Sequence, residues 1–362
     1  MTITEVRCHR LTAALHTPFV TALRSTTTVE TTVVELVDDE GERGFGEAPQ
    51  VWRVTGESLE GAQACILGPL AAVIRGRSTD DLTDLLAAVA DAVVGNHGAK
   101  AAVDVALHDL AARRLGVSLP RFFGSNRHQV ETDVTVSAGD VDSLRTDAAK
   151  RVSEGFDVLK LKVGSDAETD VARVKAVRHA IGPATRIRVD ANQGWTAREA
   201  IGVIRALEDS GVGVEFVEQP VAAADLDGMA RVTASVDTPV MADESVFGLR
   251  DLSALIERGA ADLVNIKLAK CGGLATARAM LRLASAHGVG TIVGSMMESP
   301  IGVGAAASLV AAYGTPNTND LVTSDLDAAW WTARSPVRGG LQYDAATVVL
   351  PTSPGLGIGG LV

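Results

Sequence analysis

A repeated order of strand, turn and helix from about Val130 onward most constrains the fold of this chain. Short apolar runs alternate with segments of helical periodicity in seven or eight units over roughly 200 residues, which predicts a TIM-type barrel. The predicted strands are residues 132–137, 158–163, 186–190, 214–218, 239–243, 262–267, 289–295 and 320–325. A doubly wound open sheet is the alternative. It would call for a glycine-rich fingerprint after its first strand, and none stands there.

The preceding residues show a different pattern, in which strands come first and helices follow. The predicted strands are residues 2–14, 26–38 and 44–48. The helical patterns are residues 56–75, 80–94 and 98–115. This order predicts a separate α+β unit before the barrel. Within the barrel, the uncharged run from Pro300 to Ala312 is too short to cross a bilayer and predicts a buried helix.

Charge and cysteine content narrow the classes of partner. The 362 residues include 33 Lys and Arg against 45 Asp and Glu, a formal net charge of -12. An acidic chain with no basic run is a poor candidate for binding nucleic acid or an anionic membrane. Cys8, Cys65 and Cys271 have no paired spacing, so we expect no disulfide framework and no zinc site. Together with a charged N-terminus unlike a signal peptide, this predicts a cytoplasmic location.

Ionisable residues end five successive predicted strands. They are Lys160 and Lys162, then Asp190, Glu218, Asp243 and Lys267. Because the carboxyl ends of barrel strands meet at one mouth, where active sites of this fold are built, we expect these side chains to converge. Any one of them could be a solvated loop residue, and the two lysines could lie on the wet face of an antiparallel sheet. Five successive units at one register are hard to explain in that way.

The three carboxylates in this set need a counter-charge, because converging acids repel one another. Oxygen ligands with room for water suit Mg²⁺ better than zinc, which prefers His or Cys. The seven histidines are scattered, and none lies near these strand ends. The pattern therefore favours a magnesium site, with Lys162 and Lys267 flanking it.

Several motifs together resemble the muconate-lactonizing subgroup of the enolase superfamily. They are K-x-K at 160–162, V-D-A-N-Q-G-W at 189–195, V-E-Q-P at 217–220, M-A-D-E-S at 241–245 and N-I-K at 265–267. The resemblance extends to G-F-G-E-A-P at 44–49 and P-G-L-G-I-G at 354–359, and so covers nearly the whole chain. It implies an α/β fold, a modified (β/α)7β barrel at residues 126–335 with an α+β capping domain at residues 1–125. Residues 336–362 would return to the capping domain.

The resemblance also implies a 1,1-proton transfer beside a carboxylate, the reaction of a racemase or epimerase. Its Mg²⁺ ligands would be Asp190, Glu218 and Asp243. Loss of the α-proton would give an enediolate, stabilised by the metal and by Lys160. Lys162 would remove the proton, with its pKa lowered by the nearby positive charges, and Lys267 would return a proton on the opposite face.

Two further features favour a dipeptide epimerase within this subgroup, with L-Ala-D/L-Glu as the best single substrate. Asp325 and Asp327 face the same way in an extended segment, and two carboxylates suit a substrate ammonium, although a loop or helix-cap role is the alternative. Arg24 stands in a loop, P-F-V-T-A-L-R, that resembles the loop of epimerases acting on Ala-Glu. It would pair with the glutamate side chain, unless it is a plain surface arginine. The remaining pocket residues would be Thr135, Ser295, Met297 and Glu298.

Other interpretations remain open from the sequence alone. An N-acylamino acid racemase or an o-succinylbenzoate synthase would keep the lysines and acids without needing Asp325 and Asp327. A muconate cycloisomerase would also keep the lysines, but it would lactonise a diene with no α-proton exchange. A non-catalytic carboxylate-binding barrel would need neither Lys162 nor Lys267. The segment 313–323 is longer than expected and A-A-W-W at 328–331 is unusual, so both could reshape the substrate pocket. By analogy we expect a homo-oligomer.

Overall fold

The computed structural model describes residues 2–21, 25–314 and 323–362, and its N-terminal part is an antiparallel sheet covered by helices. The strands, in the order β1–β2–β3, are Ile3–Val20, Ser25–Asp38 and Arg43–Pro49. The α-helices are α1 (Leu59–Cys65), α2 (Ala71–Ile74), α3 (Leu82–Asp91), α4 (His97–Arg114) and α5 (Leu119–Phe122). A π-helical turn at Ile66–Leu70 interrupts the first predicted helix at Pro69, which has no N–H to donate, and a 3₁₀ turn spans Thr79–Asp81.

Helix α4 packs directly on β3 because the strand carries glycine where the helix backbone passes. A Cβ atom on Gly44 would lie 2.3 Å from the carbonyl oxygen of Ala106, and one on Gly46 would lie 1.9 Å from that of Ala102. Between them, the backbone N–H of Phe45 donates to Asp109 on the helix at 2.8 Å. The glycines of G-F-G-E-A-P therefore serve close packing inside the capping region.

A parallel seven-stranded sheet follows, with its strands in chain order. These strands are β5 (Val134–Val136), β6 (Val158–Lys162), β7 (Arg186–Asp190), β8 (Val214–Glu218), β9 (Val240–Ala242), β10 (Leu263–Lys267) and β11 (Gly290–Gly294). The helices between and after them are α6 (Val141–Ser153), α7 (Ala167–Ile181), α8 (Ala197–Asp209), α9 (Leu226–Thr233), α10 (Leu249–Arg258), α11 (Leu268–Cys271), α12 (Leu274–Ala286) and α13 (Pro300–Tyr313). Helix α13 is the buried helix predicted from its apolar composition.

Two residues close this sheet into a barrel. Ser324 forms a parallel bridge with Thr132 beside β5, and Asp325 forms one with Gly294 at the end of β11. Among the described residues the eighth predicted strand, 320–325, is therefore reduced to these two bridges, and residues 320–322 lie outside the described ranges. The predicted α/β fold is confirmed: seven β-α units, a closing segment and an N-terminal α+β cap.

The inside of the barrel is apolar at its floor and charged at its mouth. Phe216, Met241, Leu263 and Ile292 form a buried apolar cluster on four neighbouring strands. Because side chains alternate along a strand, the residue two positions later faces inward again, one level nearer the mouth. Glu218 follows Phe216 in this way, so the apolar layer directly supports the charged one.

The last residues lie against both regions. Their strands are β12 (Val337–Gly339), β13 (Gln342–Asp344), β14 (Thr347–Val349) and β15 (Ile358–Leu361), and β14 also pairs with β4 (Gln129–Glu131). Arg113 on α4 donates to the carbonyl oxygen of Ile358 at 2.7 Å. The boundaries at 125 and 335 stay predictions. No helix in the described part of the chain is long and apolar enough to cross a membrane.

Candidate active site

A cavity opens at the mouth of the barrel, between the strand ends and the capping region. The predicted site residues that line it are Thr135, Lys160, Lys162, Asp243, Lys267, Ser295, Met297, Asp325 and Asp327. The capping region contributes the opposite wall, including Phe19, Val51 and Arg53. Residues predicted from several separate strands therefore do meet at one place.

Lys162 and Lys267 face each other across this cavity. Lys162 ends β6 and Lys267 ends β10. The closed ring comprises seven strands and the Ser324–Asp325 segment, and β10 is the fourth strand along from β6. The two strands consequently stand on opposite sides of the ring, and a substrate between them would present opposite faces to the two amino groups.

Each of these lysines contacts an acid at its own strand end. The Nζ atom of Lys162 lies 2.6 Å from Asp190, and that of Lys267 lies 2.9 Å from Asp243. Lys270 on α11 also pairs with Asp243. Burial alone would lower the pKa of Lys267, but the charge of Asp243 outweighs it and raises that pKa. Burial would likewise raise the pKa of Asp243, and the two lysines hold it below its usual value.

Lys160 lies one level deeper, among three carboxylates. Its Nζ atom pairs with Asp325 and lies 3.5 Å from Glu218 and 3.9 Å from Asp190. Burial works to lower the pKa of Lys160, but the charges of Asp325 and Glu218 outweigh it and place the pKa well above its usual value. Burial would raise the pKa of Asp325, whereas Lys160 brings it down to about 2. The pair is therefore ionised.

The three acids predicted to hold Mg²⁺ are buried at adjacent strand ends, and a lysine lies within 4 Å of each. Among the described residues no three His, Cys, Asp or Glu side chains are already arranged around one metal position. The donor set nevertheless fits a divalent cation. Buried oxygens of Glu218, Glu244 and Asn192 have no hydrogen-bond partner within residues 2–21, 25–314 and 323–362, and carboxylate and amide oxygens are what Mg²⁺ prefers. Burial and the charges of Asp190 and Asp243 raise the pKa of Glu218, a repulsion that a cation would relieve.

Asp327 is fixed at the same end of the cavity as Asp325. Its Oδ2 atom accepts hydrogen bonds from the backbone N–H of Thr135 at 2.8 Å and from the indole N–H of Trp331 at 2.9 Å. Burial, and then the charge of Asp325, raises the pKa of Asp327. Two neighbouring buried acids of this kind form a natural site for a positively charged group.

The remaining predicted pocket residues divide into three groups. Ser295 lines the cavity and donates its backbone N–H to the carbonyl oxygen of Asp325 at 3.1 Å, while Met297 contributes apolar surface. Glu298 is not among the described lining residues. Its carboxylate accepts the N–H of Met296 at 2.9 Å and lies near Glu47 of β3; burial, and then Glu47, raises its pKa to about 8. Arg24 lies outside the described residues.

Several residues of the site were not assigned a role from the sequence, among them Asn192, Glu244, Asn265, Lys270, Arg53 and Trp331. Asn265 donates to Glu218 at 2.7 Å, and its position two residues before Lys267 on the same strand could have revealed it. Lys270, Trp331 and Arg53 stand on a short helix or in loops. Their approach to the site depends on the path of the backbone, for which no periodic signal exists.

Comparison with known proteins agrees with this geometry. Residues 3–124 match the family described as mandelate racemase / muconate lactonizing enzyme, N-terminal domain, and residues 143–359 match the enolase C-terminal domain-like family. The L-Ala-D/L-Glu epimerase of Bacillus subtilis is 39% identical over 359 residues, which are 99% of this chain and 97% of that protein.

Solved structures give the same result. The substrate-liganded complex of the Bacillus subtilis L-Ala-D/L-Glu epimerase superposes with a TM-score of 0.96 at 39% identity, covering 100% of both chains. The dipeptide epimerase of Enterococcus faecalis, solved with Mg and L-Leu-L-Tyr, has a TM-score of 0.93 at 35% identity and covers 99% of both chains. With matched residues spanning cap and barrel alike, this chain belongs to the mandelate racemase / muconate lactonizing enzyme family of the enolase superfamily.

Proposed function

We propose that this chain is a Mg²⁺-dependent dipeptide epimerase, an isomerase that inverts the α-carbon of the C-terminal residue. The observation that carries the proposal is the placement of Lys162 and Lys267 on opposite sides of one cavity. The relatives support it, since curated L-Ala-D/L-Glu epimerases from Bacillus subtilis and Clostridium acetobutylicum are each 39% identical to this chain. L-Ala-D/L-Glu is therefore the substrate to test first.

The two lysines account for inversion. A tetrahedral carbon held between them can lose its proton to one amino group and receive a proton from the other on the opposite face. In one direction Lys162 takes the proton and Lys267 gives one back. In the reverse direction the roles exchange, so both epimers are substrates.

The charges around the carbon stabilise the enediolate formed when the α-proton leaves. Mg²⁺ held by Asp190, Glu218 and Asp243 would supply a positive charge that offsets the three acids and polarises a substrate carboxylate. Lys160, buried and positively charged, adds a second positive charge beside that carboxylate. Burial strengthens these interactions because little water is present to screen them.

Asp325 and Asp327 would bind the substrate's α-ammonium. Both line the cavity, and Asp327 is held in place by Thr135 and Trp331. A substrate that bears an N-acyl group instead of an ammonium would bring no positive charge to these two acids, of which only Asp325 pairs with a lysine in the described part of the chain. This favours dipeptides over the N-acylamino acids that related racemases use.

The test is to incubate the protein with L-Ala-L-Glu and Mg²⁺ in D₂O and to follow the glutamate α-proton by NMR, with and without EDTA. We expect metal-dependent loss of that proton and appearance of L-Ala-D-Glu. If N-succinylamino acids exchange instead, the protein is a racemase of the same subgroup. Binding without any exchange would leave only a carboxylate-binding barrel.

The location and assembly of the protein stay predictions. We propose a cytoplasmic location from the unpaired cysteines, two of which, Cys65 and Cys271, are buried. We also propose a homo-oligomer, by analogy with barrels of this kind. Fractionation and sedimentation velocity would test the two statements.

A further inference from the structure

The capping wall of the cavity carries an arginine that the mechanism does not use. Arg53 lies in the loop that joins β3 to α1, and it lines the same cavity as Lys160, Lys162 and Lys267. Its side chain is exposed. The barrel therefore supplies the charges around the reacting carbon, and the cap supplies one more cation at the mouth.

The loop that carries Arg53 is anchored on both sides. The backbone N–H groups of Val54 and Thr55 donate to the carbonyl oxygen of Val51 at 3.1 and 3.0 Å. The Val51 side chain is buried in a cluster with Ala269 and Met296 of the barrel. Arg53 is consequently presented from a turn whose backbone is already folded, and a preordered loop loses less entropy on binding than a disordered one.

Arg53 differs from the other cations of the cavity in having no acidic partner among the described residues. Lys160, Lys162 and Lys267 each pair with a buried carboxylate. No hydrogen bond or ion pair joins Arg53 to any residue in the described ranges. Glu30 lines the adjoining groove with Arg53, but its carboxylate accepts a hydrogen bond from Gln50 at 3.1 Å.

The charges of a bound dipeptide indicate what would pair with Arg53. In the proposed function, the ammonium group would lie at Asp325 and Asp327, and the α-carboxylate would be held by Lys160 and by the cation that the three metal-binding acids would hold. The side chain of the C-terminal residue then has the capping wall left to contact. A guanidinium there favours a carboxylate, which it can bind through two parallel N–H···O bonds.

We propose that Arg53 is a specificity-determining residue that binds the side-chain carboxylate of the substrate's C-terminal residue. It selects dipeptides ending in an acidic residue over those ending in the neutral isostere. This inference rests on the proposed function. The sequence assigned recognition of that carboxylate to Arg24 alone, and the inference adds Arg53 as a second arginine.

The test compares L-Ala-L-Glu with L-Ala-L-Gln, which have nearly the same shape and differ in side-chain charge. We expect the wild-type protein to prefer Glu, and Arg53→Met to lower the ratio of kcat/KM for Glu over Gln by roughly tenfold to 150-fold, the size expected for a hydrogen bond to a charged group. Arg53→Glu should reverse the preference, so that L-Ala-L-Lys exchanges faster than L-Ala-L-Glu. A wild type that treats Glu and Gln alike, or a ratio that Arg53→Met leaves unchanged, overturns the inference.

Two controls isolate the effect. Arg198→Met removes another exposed arginine, on α8 outside the cavity, and should change neither rate nor ratio. The residues that the structure does not describe, 1, 22–24 and 315–322, include one acidic residue, Asp320, and Asp320→Asn removes its charge. It should also leave the ratio unchanged; if it lowers the ratio as Arg53→Met does, Arg53 serves an internal ion pair and the inference fails.

Calorimetric binding of the two dipeptides separates this inference from the proposed function. If the wild type exchanges no α-proton, the epimerase proposal fails, and the ratio of dissociation constants then decides the role of Arg53. A ratio that Arg53→Met lowers supports that role, and an unchanged ratio overturns it. If the wild type is active and Arg53→Met reduces both substrates equally, the epimerase proposal stands and the specificity role falls.

Discussion

The barrel mouth and the capping wall face the same cavity but hold their charges in different ways. On the barrel side, Lys162 and Lys267 are buried and each contacts an acid within 3 Å. On the capping side, Arg53 is exposed and has no acidic partner among the described residues. The lysines of the barrel wall are thus neutralised by neighbouring acids, whereas the capping wall presents a charge that no acid in the described part of the chain neutralises.

This difference separates chemistry from selectivity. A base and an acid must stand at fixed places around the reacting carbon, and strand ends in a closed ring hold such places rigidly. A side chain that only chooses among substrates can stand on a loop, where substitution does not disturb the barrel. Changes to the barrel wall should therefore abolish reaction, whereas changes to the capping wall should alter preference.

Removal of the metal should have the largest effect. We expect EDTA to abolish α-proton exchange and excess Mg²⁺ to restore it, because the three acids would otherwise repel the substrate carboxylate. Since the cation would bind only the folded site, Mg²⁺ at 100 times its dissociation constant should stabilise the protein by about 2.7 kcal/mol. Thermal unfolding with and without Mg²⁺ measures this stabilisation, and Glu218→Gln should diminish it. A melting temperature indifferent to Mg²⁺ would contradict the metal site.

Loss of either opposed lysine should come next. We expect Lys162→Ala and Lys267→Ala each to lower epimerisation by about 10²–10⁴-fold, the usual contribution of a positioned general acid or base. Chiral chromatography of the product measures the rate. Lys175→Ala, at an exposed position on α7, is the matched control and should behave like the wild type. Near-normal epimerisation in either cavity variant would argue against two bases.

A smaller effect is expected from a change to Trp331, which only positions Asp327 in the barrel wall. Trp331→Phe keeps an aromatic ring at this position but removes the indole N–H that donates to Asp327 at 2.9 Å. A hydrogen bond to a charged group contributes about 1.5–3 kcal/mol, so we expect KM for the dipeptide to rise about tenfold or more, with little change in kcat. Steady-state kinetics would show the split. Trp330→Phe, whose indole N–H has no described partner, should leave KM unchanged; equal effects would mean that the indoles act through packing alone.

The smallest effect concerns Glu57, which lies in the same loop as Arg53. Glu57 accepts the backbone N–H of Gly98 at the start of α4 at 2.9 Å, yet burial outweighs this bond and raises the pKa of Glu57. A raised folded-state pKa means that its stabilisation is complete below the unfolded value of about 4.5 and is lost as the pH rises through the folded value. The melting temperature of Glu57→Gln should therefore rise relative to that of the wild type as the pH rises above about 4.5.

Glu60 provides the opposite case on the same stretch of chain. Its carboxylate is exposed, and the hydrogen bond from Arg10 lowers its pKa, so its stabilisation is present above about 4.5 and is lost as the pH falls through the folded value. The melting temperature of Glu60→Gln should then fall relative to that of the wild type as the pH rises toward about 4.5. Thermal unfolding over a pH series measures both trends, and parallel curves for the two variants would contradict the opposite signs expected for Glu57 and Glu60.

The difference between the two walls also explains how far the sequence could predict the site. Lys160, Lys162, Asp190, Glu218 and Lys267 were predictable because each stands on a strand, where a period of two fixes the direction of the side chain. Asp243 directly follows its strand and kept the same register. Sequence periodicity thus predicted the placement of the residues on the barrel side of the site.

Other features depend on how loops run, and periodicity did not reveal them. Glu298 was expected in the pocket, but the turn after β11 directs its carboxylate toward Glu47 of the cap. Trp331 contacts Asp327, and Arg53 lines the cavity, only because their loops fold back on the barrel mouth. The closing strand was predicted over 320–325, whereas pairing in the described part is confined to Ser324 and Asp325. Such details follow from tertiary contacts between distant segments.

The claim that two lysines act on opposite faces is tested most directly by the stereochemistry of exchange in the single-lysine variants. Lys162→Ala and Lys267→Ala would each be incubated in D₂O with L-Ala-L-Glu and, separately, with L-Ala-D-Glu, and the loss of the glutamate α-proton followed by NMR. Two opposed bases should leave opposite residual preferences, with each variant losing exchange chiefly from the epimer whose proton faces the missing lysine. Loss of exchange from both epimers in the same proportion in both variants would show that the two lysines do not divide the faces between them.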